Sequence, residues 1–65
     1  MIKSVIRCPN GMVVVFDEND EQIHKYQGRY EEVKERILKD APPDALFGHW
    51  FDYESDIIPV SRGEW

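Results

Sequence analysis

The sequence is poor in the residue types that usually reinforce or equip a very small protein. It has one cysteine, Cys8, so no intrachain disulfide can form and a four-cysteine zinc site is excluded. Its four glycines are scattered, and no glycine-rich phosphate-binding loop occurs. A single core in a chain of 65 residues rarely supplies more than about 3–5 kcal/mol without help. We therefore expect one small domain over residues 1–65 that relies on close packing or on a partner chain.

Long apolar runs and clustered cations are missing as well. No run approaches the roughly 18 apolar residues of a membrane span. The segment Met1–Arg7 is interrupted by two cations and lacks the pattern of a signal peptide. The 8 cations are dispersed among 13 acids, for a net charge of −5, so direct binding to nucleic acid or to an anionic membrane surface is not expected. These absences predict a cytoplasmic protein with a reduced Cys8 thiol.

The first seventeen residues predict a β-hairpin. Ile2–Cys8 and Met12–Asp17 are rich in β-formers, and a three-residue loop over Pro9–Gly11 joins them, with Gly11 in the left-handed position. This loop sets a register in which the residue pairs facing each other are Ser4 and Phe16, Val5 and Val15, Ile6 and Val14, Arg7 and Val13, and Lys3 and Asp17. The opposite charges of Lys3 and Asp17 suggest that the face they share is solvated. Val5, Val13 and Val15 nevertheless form an apolar strip on this face, which is either covered by another part of the protein or is a contact surface. The other face, with Ile2, Ile6, Met12, Val14 and Phe16, is the predicted core face.

The rest of the chain predicts one helix and further extended segments. Tyr30, Val33, Ile37 and Ala41 fall at helical spacing, which predicts a helix over Arg29–Asp40 that ends before two prolines. A short third strand over Gln22–Tyr26 is left open. Gly48–Glu54 is predicted as a strand, and Ile57–Val60 as an extended segment that Pro59 confines to a sheet edge or a packed tail. The fold class is thus α+β, with an antiparallel sheet packed on one face against one helix.

Four of the eight aromatic residues lie together in Phe47–Tyr53. Large side chains anchor the cores of small domains, so Phe47, Phe51 and Tyr53 are predicted to pack on the apolar stripe of the helix. Trp50 would face away from the core beside acidic residues, as an interface anchor does. Trp65 is a second candidate of this kind.

Candidate chemical motifs are weak. The acidic run Asp17–Glu21 alternates like a calcium loop, but Gln22 stands where that loop needs glycine, and Gly28 where it needs a bidentate glutamate. Cys8, His24 and His49 do not have the spacing of metal ligands. Three alternating carboxylates follow His49 (Asp52, Glu54 and Asp56), and they are more typical of a solvated strand face than of acid–base catalysis. We therefore predict no catalytic, cofactor-binding or metal-binding residues.

The sequence favours a non-enzymatic protein-interaction module whose partner is another protein or a second copy of the chain. The predicted interface consists of the apolar strip on the second hairpin face and the two tryptophans: Val5, Val13, Val15, Trp50 and Trp65. One alternative is an acidic inhibitor that mimics nucleic acid and occupies the basic cleft of a DNA- or RNA-binding protein. Another is a small ligand-binding domain or enzyme that uses Cys8, His49 and the carboxylates of Asp52–Asp56.

Overall fold

A mixed five-stranded sheet carries a single α-helix on one of its faces in the described part of the chain. The structure is a computed structural model, and it describes residues 1–52 and 54–65. The strands are β1 (Ile2–Arg7), β2 (Met12–Asp17), β3 (Gly28–Arg29), β4 (Leu46–His49) and β5 (Ile58–Val60), and the helix is α1 (Tyr30–Asp40). Their order across the sheet is β3-β2-β1-β4-β5. The predicted α+β class is confirmed.

The predicted wholly antiparallel sheet is wrong at one place, because β1 and β4 run parallel. The other three neighbouring pairs of strands are antiparallel. Helix α1 lies between β3 and β4 in the chain, so the chain crosses the sheet before β4 pairs with β1. Sequence periodicity identifies a strand, but it does not identify the strand's neighbour, and for this reason the direction of β4 was missed.

The hairpin of β1 and β2 has most of the predicted register. Ser4 faces Phe16, and Val5 faces Val15. Gly11 has a φ of 83°, a left-handed conformation that a side chain would strain, as the three-residue loop requires. The register shifts between Ile2 and Ser4, so that Asp17 faces Ile2 instead of Lys3.

The predicted core face of the hairpin is wrong, because α1 packs on the other face. Val5, Val13 and Val15 are at most 1% exposed and form the centre of the core, so the exposed valine strip of the predicted interface does not exist. Of the five hairpin residues predicted to form the core face, only Ile2 is buried, because the register shift beside it places it with the valines. The pair of Lys3 and Asp17, on which the choice of face depended, does not form.

Helix α1 begins one residue after the predicted start and ends where predicted. Val33, Ile37 and Ala41 of the apolar stripe are buried, and Tyr30 is half-buried. The first turn carries Glu31 and Glu32 and the last turn Lys39, which suits the helix dipole. The helical spacing of the apolar residues and the charges in the first and last turns thus predicted this helix correctly to within one residue.

The segment Gln22–Tyr26, for which a third strand had been left open, is mostly a short 3₁₀ helix. Phe16 and Gln22 form an isolated bridge, and the 3₁₀ turn His24–Tyr26 follows it. Tyr26 is buried against the sheet and helix core. The strand that does flank β2 is β3, which is two residues long and pairs with Met12 and Val13.

The predicted strand Gly48–Glu54 is displaced toward the N-terminus, since β4 covers Leu46–His49. Trp50–Asp52 and Glu54–Ser55 lie outside the strands, and Tyr53 lies outside the described residues. The alternating face predicted for Asp52, Glu54 and Asp56 therefore does not form. β5 (Ile58–Val60) lies at the sheet edge, as Pro59 requires.

Trp65 is part of the core and packs beside β4. The sequence had predicted it to be an exposed interface anchor. Its side chain is 3% exposed, and its ring makes edge-to-face contacts with Tyr30 and Phe47 at centroid distances of 5.1 and 5.0 Å. The Tyr30 hydroxyl donates to the Trp65 carbonyl oxygen at 2.7 Å. The Arg62 guanidinium donates to the carbonyl oxygens of Ala41 and Pro42 after α1, which holds the final turn against the helix.

None of the helices in the described residues has the length and apolar character needed to cross a membrane.

Candidate functional site

The sheet face opposite α1 is apolar and only partly covered, and we call it the outer face. Strand alternation and pairing assign nine residues to it: Ser4, Ile6, Met12, Val14, Phe16, Arg29, Leu46, Gly48 and Pro59. The register places Leu46, Ser4 and Phe16 in one row across three strands. The next row contains Gly48, Ile6 and Val14. Neither row contains a charged side chain, although the chain as a whole carries a net charge of −5.

Several side chains of the outer face are open to solvent. Leu46 is 63% exposed and Met12 38% exposed, whereas Ile6, Val14 and Phe16 are half-buried. A predominantly apolar groove of about 420 Å³ runs beside Leu46 and Gly48. The largest apolar patch on a monomeric protein is often functional, which makes this surface a candidate interaction site.

Gly48 permits a close contact beside this groove. A Cβ atom at Gly48 would lie 2.8 Å from the Cγ2 atom of Ile57, which is closer than two carbon atoms can approach. Ile57 is 49% exposed, so its side chain adds apolar surface next to Leu46 and Pro59. The glycine is therefore required here by packing and not by a turn.

The two edges of the sheet offer little opportunity for strand addition. On the β2 side, the Val15 N–H donates to the Gln27 side chain at 3.3 Å, and the Val15 carbonyl oxygen accepts from the Ile23 N–H at 2.9 Å. On the other side, β5 is three residues long and its central residue, Pro59, has no N–H to donate. A partner would thus meet the outer face more readily than an edge.

A second concave feature lies where the parallel strands β1 and β4 end, and we call it the end groove. The residues that line it include Arg7, Cys8 and Gly11 on the hairpin side, and His49, Trp50 and Phe51 on the β4 side; its volume is about 290 Å³. The Trp50 N–H donates to the Arg7 carbonyl oxygen at 2.8 Å, which fixes the two walls relative to each other.

Two nitrogen-bearing side chains of the end groove lack polar partners among the described residues. The Arg7 guanidinium stacks on the Tyr30 ring, 3.6 Å from its centroid, and makes no hydrogen bond or ion pair to residues 1–52 or 54–65. His49 contacts the Phe51 ring edge-to-face at 5.3 Å. Its Nε2 atom is buried and has no hydrogen-bond partner in the same part of the chain. A buried unsatisfied atom such as His49 Nε2 is uncommon in folded proteins and calls for an explanation.

Cys8 lies beside these groups but is a weak candidate nucleophile. Partial burial raises the pKa of its thiol, so even less thiolate is present at neutral pH than in an ordinary cysteine. Its Sγ atom lies 4.0 Å from the Ile6 carbonyl oxygen, a neutral acceptor that does not stabilise a thiolate. The geometry thus gives Cys8 no activating partner.

The structure separates most of the residues that the sequence proposed as a site. Val5, Val13, Val15 and Trp65 are in the core. Trp50 is half-buried, and its indole N–H donates to the Ser55 carbonyl oxygen at 2.9 Å. In residues 1–52 and 54–65, no three histidine, cysteine or acidic side chains come together as a metal site.

The residues of the outer face were predicted to be the core and not a surface, because both faces of the hairpin are apolar. Alternation separated the two sets of residues correctly, but only the position of α1 shows which set it covers. Leu46 was missed for another reason, since the predicted strand began only at Gly48, whereas β4 begins at Leu46.

Comparison with models of known protein families, with curated proteins and with solved structures gives no match. The function must therefore be argued from the outer face and the end groove themselves.

Proposed function

We propose that this chain is a non-enzymatic protein-interaction module whose binding surface is the outer face and whose partner is a second copy of the chain. The observation that carries the proposal is the uncharged, partly exposed apolar surface around Leu46, Ile6 and Phe16 on a strongly charged small domain. Covering that surface would add apolar burial to a core that consists of ten buried hydrophobic residues in the described structure.

Charge selects the outer face as the surface through which a second copy would bind. Two chains of net charge −5 repel each other, so they associate best through a surface that carries no charge. The two central rows of the outer face meet this condition. The exposed surface of α1 does not, because it presents Glu31, Glu32 and Glu35 among its cations. A symmetric dimer would pair the outer face with itself.

The size of the outer face predicts a weak dimer. Five strands about 4.8 Å apart and at most about 20 Å long give an area of no more than about 480 Å² per copy. Stable protein complexes commonly bury about 800 Å² per partner. Association should therefore depend on concentration, and it should strengthen with added salt because salt screens the repulsion between the acidic chains.

Sedimentation velocity over a wide concentration range tests this proposal. We expect a reversible monomer–dimer equilibrium that the substitution Leu46→Asp abolishes, because it places one carboxylate per copy within the apolar contact. Phe51→Asp is the matched control: Phe51 is also 63% exposed, but it lies at the end groove and not on the outer face. At high salt, which screens the added charge, the Phe51→Asp variant should dimerise as well as the unmodified chain.

A monomer at every concentration and salt level would contradict self-association. An interaction module would then require a different protein as its partner. That protein should bind the unmodified chain and the Phe51→Asp variant but not the Leu46→Asp variant. Association that weakens steeply as salt increases would instead favour the acidic-mimic alternative, in which charge pairs hold the partner.

A further inference from the structure

We propose that the end groove binds a small organic carboxylate, with Arg7 as the group that holds its charge. The site is separate from the outer face, and the proposal does not depend on self-association. The ligand class is a monoanionic carboxylate attached to a compact apolar or aromatic body.

The position of the groove follows from the topology of the sheet. β1 and β4 are adjacent parallel strands, and both end at this side of the sheet. After β1 the chain turns into the hairpin loop, whereas after β4 it enters the segment that begins with Trp50. The two connections diverge and leave a crevice at the carboxyl ends of the strands, where open sheets with parallel strands commonly bind ligands.

Arg7 is the main evidence for an anionic ligand. None of the Lys or Arg side chains in the described residues forms an ion pair with a carboxylate, so what distinguishes Arg7 is its place in the groove and its stacking contact. Arg7 is half-buried, yet in the described residues its guanidinium makes only the stacking contact with Tyr30. Stacking fixes the plane of the guanidinium and leaves the N–H groups at its edge available. A planar fork held in this way matches the two oxygens of a carboxylate.

His49 and Phe51 complete the site. The buried Nε2 atom of His49 lacks a hydrogen-bond partner among the described residues, so a ligand oxygen could supply one. The Phe51 ring contacts His49 and is 63% exposed, so it presents an apolar surface to the ligand's apolar part. The groove therefore joins a stacked cation to an exposed aromatic surface.

The charge balance favours a carboxylate over a phosphate. The end groove supplies one permanent cation, and the chain around it is acidic. A phosphate dianion usually needs several cations or a cluster of backbone N–H groups, whereas one guanidinium is enough for a monoanion. The volume of about 290 Å³ is at the lower limit for ligand pockets, which restricts the ligand to a small molecule.

NMR titration of the isotopically labelled protein tests the proposal with benzoate, its neutral analogue benzyl alcohol, and inorganic phosphate. We expect benzoate to shift the backbone resonances of Arg7, His49 and Phe51 saturably in the millimolar range. Benzyl alcohol and phosphate should each bind at least about tenfold more weakly, because the first lacks the charge and the second lacks the apolar body.

Three variants make the test specific. Arg7→Gln keeps part of the side-chain stem on Tyr30 and removes the charge, so benzoate affinity should fall about tenfold or more. Lys34→Gln is the matched control, because Lys34 also lies over Tyr30, with Nζ 5.3 Å from the ring centroid, but does not line the groove. The benzoate affinity of Lys34→Gln should stay within about twofold of that of the unmodified chain. Phe51→Ala changes an exposed side chain, so it should fold and weaken benzoate binding more than acetate binding.

The proposal is overturned if benzoate produces no saturable shifts at the groove, or if Arg7→Gln binds as well as the unmodified chain. Phosphate binding tighter than benzoate binding would contradict the ligand class. If Arg7→Gln does not fold, unchanged benzoate affinity in Phe51→Ala would still exclude the proposed site.

Discussion

At the scale of single residues, the hydrogen bond between Tyr26 and Asp40 connects the 3₁₀ turn to the end of α1. The Tyr26 hydroxyl donates to Asp40 Oδ2 at 2.6 Å. This bond, followed by burial, raises the pKa of the Tyr26 phenol above its ordinary value of 10.0. The folded protein therefore holds the phenolic proton more tightly than the unfolded chain. The resulting stabilisation is present below about pH 10 and is lost as pH rises through the higher, folded-state pKa.

We predict that Tyr26→Phe lowers the free energy of unfolding by about 1 kcal/mol at neutral pH, because it removes this hydrogen bond. Urea denaturation at a series of pH values measures the effect. The difference between the two proteins should shrink above pH 10, and Asp40→Asn should bring the pKa of the phenol closer to 10.0. A difference that stays constant across the phenol's titration would show that the bond does not perturb Tyr26.

At the scale of structural elements, the contact between β4 and the segment before β5 depends on Gly48. We predict that Gly48→Ala destabilises the protein by about 1–3 kcal/mol, because the new methyl group would overlap Ile57 Cγ2 at 2.8 Å. In the Ile57→Ala background the cost should be smaller, since that substitution removes the Cγ2 atom. Chemical denaturation of the four proteins in this double-mutant cycle provides the test.

Gly63→Ala is the matched control, because a Cβ atom there would meet no heavy atom within 4 Å. It should change the free energy of unfolding by no more than about 0.5 kcal/mol. An equal cost for Gly48→Ala with and without Ile57→Ala would mean that the overlap with Ile57 is not the cause.

At the scale of the whole molecule, Trp65 joins the final turn to β4 and α1. We predict that Trp65→Ala costs about 3–5 kcal/mol, the usual effect of removing a large buried aromatic side chain. This matches the entire stability expected of such a small core, so the variant should be largely unfolded at room temperature. Circular dichroism during heating measures the loss. Phe51→Ala, at an exposed aromatic, should melt within a few degrees of the unmodified chain. If Trp65→Ala unfolds cooperatively at a melting temperature near that of the unmodified chain, Trp65 does not hold the final turn to β4 and α1.

The candidate sites were less predictable than the fold because each depends on contacts between distant segments. The outer face required knowing which side of the hairpin α1 covers. The end groove required the parallel pairing of β1 with β4, which places Arg7 beside His49. Neither relation leaves a local pattern in the sequence, since Arg7 and His49 are distant in the chain and each is unremarkable alone.

The sequence by itself determined the features that arise between close neighbours in the chain. The hairpin loop with its left-handed Gly11, most of the β1–β2 register, the helix Tyr30–Asp40 and the edge position of Pro59 all follow from backbone conformation and local periodicity. Tertiary structure alone decided which apolar face became the core, where β4 paired and that Trp65 was buried. The reason is physical: hydrophobic burial has no directional preference, so two equally apolar faces are distinguished only by what packs against them.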